Sequence, residues 1–163
     1  MKITKAWLKE WSACSEGVEW FAGQKETDGL AVCKKLLTEK HWDWANWLIA
    51  RILGRKGRIR YAVYAAEQVI NIYEEKYPDD KRPRNALESA KKVLENDSEE
   101  NRAASFADSD AANAASSAAS SSVFAAHAVA SASSAANAAS AAKKQEMQLK
   151  LLEFGIKLLE VEK

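Results

Sequence analysis

Residues 103–142, AASFADSDAANAASSAASSSVFAAHAVASASSAANAASAA, decide how the chain is read: 20 of these 40 residues are alanine and 11 are serine. Alanine has the highest helix propensity and loses no rotamer freedom, and the stretch holds no Gly, Pro or Thr, so it predicts helix. Such a helix cannot stand alone. Each methyl contributes only about 0.8 kcal/mol of burial, and serine hydroxyls compete for the backbone. It requires close neighbours, and small side chains let helix axes approach to about 8 Å. The fold class implied is all-α, a multi-helix bundle or helical-hairpin array with closely packed Ala/Ser-rich helices.

An unbroken helix from Glu99 to Glu160 would run about 90 Å at 1.5 Å per residue, too long for a domain of this size. A break is expected at Ser120-Ser121-Ser122, just before Val123 and Phe124, leaving two alanine-rich helices packed antiparallel. The doublets show no fixed period, and no threonine follows Thr38, so the pattern differs from that of alanine-rich antifreeze helices. After it, Met147, Leu151, Phe154 and Leu158 form a stripe with Glu146/Lys150 and Glu153/Lys157 at i,i+4, an amphipathic closing helix.

Working back toward the N-terminus, Asp97 or Ser98 caps the helix that Glu99 and Glu100 begin. A helix bearing Ala86, Leu87, Ala90, Val93 and Leu94 has Asp79 or Asp80 as its cap and Pro83 in its first turn. Ile59, Val63, Ala66, Ile70, Tyr73 and Tyr77 recur at steps of four and three, one helix of five turns that Pro78 stops. From about Lys40 to Leu53 a helix apolar nearly all round is expected to be the most buried of the early ones, with Gly54 and Gly57 marking its end. Thr27 or Asp28 caps a helix carrying Leu30, Cys33 and Leu37. Ile3, Trp7 and Trp11 form the stripe of a first helix over residues 3–22, bent and ended by Gly17 and Gly23.

The 163 residues suit one domain, 1–163, made of Trp-rich helices (1–57), two central helices (58–97) and Ala/Ser-rich helices with the closing helix (98–163). Its 24 basic and 23 acidic residues nearly cancel, so no global field for nucleic acid is implied. Two cysteines, Cys14 and Cys33, sit on helical stripes and read as small buried hydrophobes in a reducing compartment. The opening residues lack the apolar core of a signal peptide, and the alanine stretch is too polar to span a bilayer, so the expected location is cytoplasmic, with no membrane contact.

Chemistry is sparse. His41 and His127 stand in no zinc-ligand spacing, and no CxxC, HExxH or phosphate-cradling glycine loop occurs, so no metal, cofactor or catalytic residue is expected. The basic cluster Arg51, Arg55, Lys56, Arg58 and Arg60 surrounds a helix junction, where guanidinium forks could take phosphates or an acidic protein surface. Set against this, arginine stems at a helix end also cover apolar surface while their heads stay solvated. All six tryptophans lie between Trp7 and Trp47. They can fill the layer that alanine methyls leave empty, or anchor a partner, with Trp42 and Trp20 the expected exposed anchors. Glu67 and Gln68 lie amid Tyr61 and Tyr64 and can line a groove or face water.

The runs Trp44-Ala-Asn-Trp47-Leu-Ile-Ala-Arg51, Ile59-Arg60-Tyr61-Ala-Val-Tyr64-Ala-Ala-Glu67-Gln68-Val69 and Lys76-Tyr77-Pro78-Asp79-Asp80-Lys-Arg82-Pro83-Arg84 resemble the Imm5-like immunity proteins of bacteria and phage. The resemblance extends to the alanine-rich half and the closing helix. It differs there in carrying serine, with Phe106, Phe124 and His127, where members of the family carry more tyrosine. What it implies is an all-helical, non-catalytic protein that acts by binding. The expected binding residues are Trp42, Trp47, Arg51, Arg55, Arg58, Arg60, Tyr61, Tyr64, Glu67, Arg82 and Arg84. The expected partner is a protein toxin or effector. The alternatives are a nucleotide-like signalling molecule held by arginine and aromatic side chains, or a second copy of the chain in a homo-oligomer.

Overall fold

A short extended arm, not a helix, opens the chain. The computed structural model describes residues 1–105, 107 and 141–162. Lys2 forms an antiparallel bridge with Asp28, and the Ile3 N–H donates to the Thr27 carbonyl at 2.7 Å. Ile3 is thereby fully buried ahead of α1 (Lys5–Glu10), whose N-terminus the Thr4 hydroxyl caps by accepting from the Trp7 N–H. The first helix expected over 3–22 is in fact two, because Ser12 adopts φ 57, a left-handed conformation that ends α1 before α2 (Ser15–Ala22) begins. Gly17 does not bend α2. It lies within it, where a β-carbon would approach Cys14 Sγ at 3.3 Å and the Trp44 ring at 3.9 Å. Gly23 does end it.

Asp28 caps α3 (Gly29–Thr38), its Oδ1 accepting from the Ala31 N–H at 3.1 Å. Lys40, at φ 62, turns the chain into α4 (Trp42–Ile52). That helix buries Ala45, Leu48 and Ile49, fewer residues than the Gly29, Val32, Cys33 and Leu36 of α3, because its tryptophans stay half exposed. α5 (Arg55–Glu67) follows Gly54. The single helix expected from Ile59 to Tyr77 is broken at Gln68–Val69, where Val69 leaves the helical conformation at φ −127, and α6 (Ile70–Lys76) follows. The periodicity survives the break, since Val63, Ile70 and Leu87 share one apolar cluster.

Neither Asp79 nor Asp80 is the N-cap of α7 (Arg82–Glu95): Lys81 holds that position without a side-chain cap bond. The Asp80 carboxylate one residue earlier accepts from the Arg82 N–H at 3.1 Å, and proline lies in the first turn as expected. The Ser98 hydroxyl accepts from the Asn101 N–H at 3.2 Å, and residues 99–105 are helical. The break at Ser120–Ser122, the antiparallel alanine-rich pair, Phe106, Phe124 and His127 lie outside the described residues. The fold is all-α.

The last helix, α8 (Ala141–Val161), is more than a closing element. Its buried side, Leu151, Leu152, Gly155, Ile156 and Leu159, packs on α3, α4 and α5, while Phe154 and Leu158 of the expected stripe lie at its edge. One core cluster therefore joins Ile3, Leu8 and Phe21 to Leu36, Ile49 and Leu152. α5 stands between that core and a smaller one shared with α6 and α7, burying Tyr61 and Ala65 in the first and Val63 in the second. At its N-terminus the Gly54 N–H donates to Glu162 Oε2 at 2.9 Å, which ties the chain beyond α8 to the α4–α5 corner.

Both cysteines are free thiols, and the expectation that both are buried holds for Cys33 alone. Cys14 is exposed because the α1–α2 break carries it to the N-cap of α2. Among the described residues no helix is long and apolar enough to cross a membrane.

Candidate functional site

On α4, Trp44, Trp47 and Arg51 fall at i, i+3 and i+7, and this spacing places them in one row along the helix. The Arg51 guanidinium lies over the Trp47 ring, 4.0 Å from its centroid, and its Nη1 donates to the Trp47 carbonyl at 3.3 Å. Trp7, from α1, meets Trp47 edge-on at 6.2 Å and an interplanar angle of 78°. Trp11 continues the row 5.9 Å from Trp7 and is 43% exposed. The result is a surface ladder, Trp11–Trp7–Trp47–Arg51, drawn from two helices. Beside it His41 stacks on Trp44 at 4.4 Å, and Trp20 closes that group edge-on to His41 while its indole N–H donates to Glu39 Oε2 at 2.8 Å.

Arg51 differs from the other arginines expected to bind. Its side chain is half-buried, and Nε is covered with no hydrogen-bond partner. Loss of water lowers its pKa from the ordinary guanidinium value. Arg55 pairs with Asp97, which Arg102 also engages at 2.8 Å. Arg82 grips Asp80 through two bonds of 2.8 and 2.9 Å, and Tyr73 donates to the same carboxylate at 2.8 Å. Arg84 grips Glu74 through Nε at 2.9 Å and through Nη2. These hydrogen bonds hold the Asp80, Glu74 and Asp97 carboxyls below their usual range. Arg58 and Arg60 are exposed.

The expected cluster is divided between two helices. Arg51 belongs to α4, and Arg55 and Arg60 lie about 140° apart around α5 by helix geometry. Tyr61 is corrected from a surface contact to a core residue. It is 2% exposed, its hydroxyl donates to Asn46 Oδ1 at 2.7 Å, and burial raises its pKa. Tyr64 stacks on Phe154 at 4.1 Å, and Glu67 pairs with Lys91 at 3.0 Å. Trp42 and Trp20 are half-buried, so Trp11 replaces them as the exposed tryptophan. Trp42 lines, with Asp43, Asn46, Gln148, Leu151 and Leu152, a cavity of about 10 Å³, about enough for a single water. Among the described residues no group of three His, Cys, Asp or Glu side chains could hold a metal ion.

Sequence reasoning missed Trp7 and Trp11 as part of this face. Their four-residue spacing was legible and reads as a core stripe, which holds for Trp7, packed against the core, while Trp11 beyond the end of α1 is exposed.

Residues 1–56 are similar to the YdhT N-terminal domain, so the whole ladder falls within that stretch. No curated protein and no solved structure matches the chain. Residues 54–158, more than half of the chain, match the family described as "Imm-5 like putative immunity protein", from the α4–α5 corner through most of α8. The chain belongs to that family.

Proposed function

We propose that this protein is a non-catalytic binder that neutralises a protein toxin or effector, with the tryptophan and arginine face of α1 and α4 as its contact surface. The observation that carries the reading is the Arg51 guanidinium laid on Trp47 beside an exposed Trp11, in a chain whose family is named for immunity. Tryptophan and arginine are the residues that most often dominate the energetics of protein interfaces. Capture of a nucleotide-like signal is supported less well. Arg55, Arg82 and Arg84 are already paired with carboxylates, so a phosphate would have to displace them. The test is co-expression with the products of neighbouring genes in a growth assay. Restored growth together with co-purification is expected for one of them, and failure to bind or rescue against every neighbour would overturn the proposal.

A further inference from the structure

Among the described residues the fold leaves one half-buried cation without a counter-charge. Arg55, Arg82, Arg84 and Arg102 each meet a carboxylate, whereas no carboxylate of the described residues pairs with Arg51. Of its five N–H donors, the Nε one is covered and one on Nη1 is committed to the Trp47 carbonyl. The terminal nitrogens keep the rest. The guanidinium lies over the Trp47 ring, and Trp7 and then Trp11 follow beyond that ring in the row.

We infer that Arg51 is the seat for an aspartate or glutamate side chain of the protein partner, taken end-on by its terminal nitrogens, with an apolar residue of that partner resting farther along the row on Trp11. Charge complementarity selects the occupant. A carboxylate carries the single negative charge that one unpaired guanidinium balances. A phosphate dianion would want a second cation, and the nearest arginine in sequence, Arg55, is committed to Asp97. The half-buried setting makes the match more valuable than at an open surface, since the Trp47 ring covers one side of the guanidinium. The inference rests on the partner being a protein, as proposed above, but its test does not require that partner.

The probe is acetyl-Glu-Glu-Leu-Glu-Glu-amide, added at low salt to the nitrogen-15-labelled full chain while the arginine Nε–H and tryptophan indole signals are followed. Saturable shifts of Arg51 and Trp47 are expected. Arg51→Met, which keeps an apolar stem over the ring, should weaken binding at least tenfold. Arg51→Lys, which keeps the charge without the fork, should weaken it at least threefold. Lys25→Met, at an exposed site away from the ladder, should change it less than twofold. No saturable shift, equal binding by the Gln-for-Glu peptide, or equal weakening by Lys25→Met and Arg51→Met overturns the inference. A toxin bound equally by wild type and Arg51→Met would also sink it while leaving neutralisation intact. Arg51-dependent peptide binding without any neighbour rescue would do the reverse.

Discussion

Substituting Gly155 by alanine separates two effects of opposite sign. In an exposed helix interior the change would stabilise by about 1 kcal/mol, because alanine restricts the unfolded chain and favours the helix. Here the new β-carbon would lie 2.7 Å from Ile49 Cγ2, 2.7 Å from Tyr61 Cε2 and 3.2 Å from Ile49 Cδ1. Neither neighbour gives way easily. Ile49 is fully buried, and the Tyr61 ring is fixed by its hydrogen bond to Asn46. Overpacking of this kind costs about 1–3 kcal/mol, so after the gain of about 1 kcal/mol the net expectation is a loss of up to about 2 kcal/mol. That corresponds to a fall in Tm of up to roughly 8 °C, read by far-UV circular dichroism and tryptophan fluorescence. Ile49→Ala alone should cost about 2–5 kcal/mol. Combined with Gly155→Ala, it should cost about 1 kcal/mol less than the sum, because the clash is removed. A stabilised Gly155→Ala protein, or strict additivity in the double variant, would refute the claim that glycine is there for close approach of α8 to α4 and α5.

Thiol chemistry should divide the two cysteines: at pH 8 one equivalent of Ellman's reagent is expected to react with the native protein, at exposed Cys14, and two after denaturation. Burial, with the Asp28 charge assisting, pushes the Cys33 thiol up to about 12. Because that folded-state value is raised, its stabilisation is complete below the ordinary thiol range near pH 9 and fades as pH climbs toward 12, so the urea midpoint should fall across that window. Two fast-reacting native thiols would contradict the assignment. On the acid side, the lowered carboxyls of Asp80, Glu74 and Asp97 contribute stability above about pH 4 that is lost as pH falls further. An Asp80→Asn, Glu74→Gln variant should therefore be weaker at neutral pH yet lose less on acidification. An unchanged acid limb would show that these pairs do not hold the α6–α7 corner.

Local chemistry was the legible part. Asp28 and Ser98 start helices where their short side chains imply, because a cap is decided within four residues, whereas Lys81, not Asp79 or Asp80, stands at the N-cap of α7. The breaks at Ser12 and at Gln68–Val69 were not legible, since a hydrophobic period counts residues and is blind to a residue that leaves the helical conformation between two short helices. Gly155 drew no notice because a lone glycine in a helical pattern reads as a small defect until its neighbours are known. The arginines between 51 and 60 looked like one patch because they are adjacent in sequence. Winding at 100° per residue spreads them, and distant carboxylates such as Asp97 take up part of their charge. Of the binding residues read from sequence, Trp47 and Arg51 meet, while Tyr61 turns inward because α8 covers it.

α8 also imposes an order of events during synthesis. Leu151, Leu152, Ile156 and Leu159 complete the same core as Ile3 and Leu8, so nothing made earlier can shut it. At about 5–20 residues per second, the ribosome leaves Val32, Leu36 and Ile49 without their last wall for roughly 5–20 s after Ala65 has been added. During that interval the nascent chain offers greasy helices to chaperones and proteases. A message truncated before α8 would thus give rise to a substrate for degradation instead of a weakened protein.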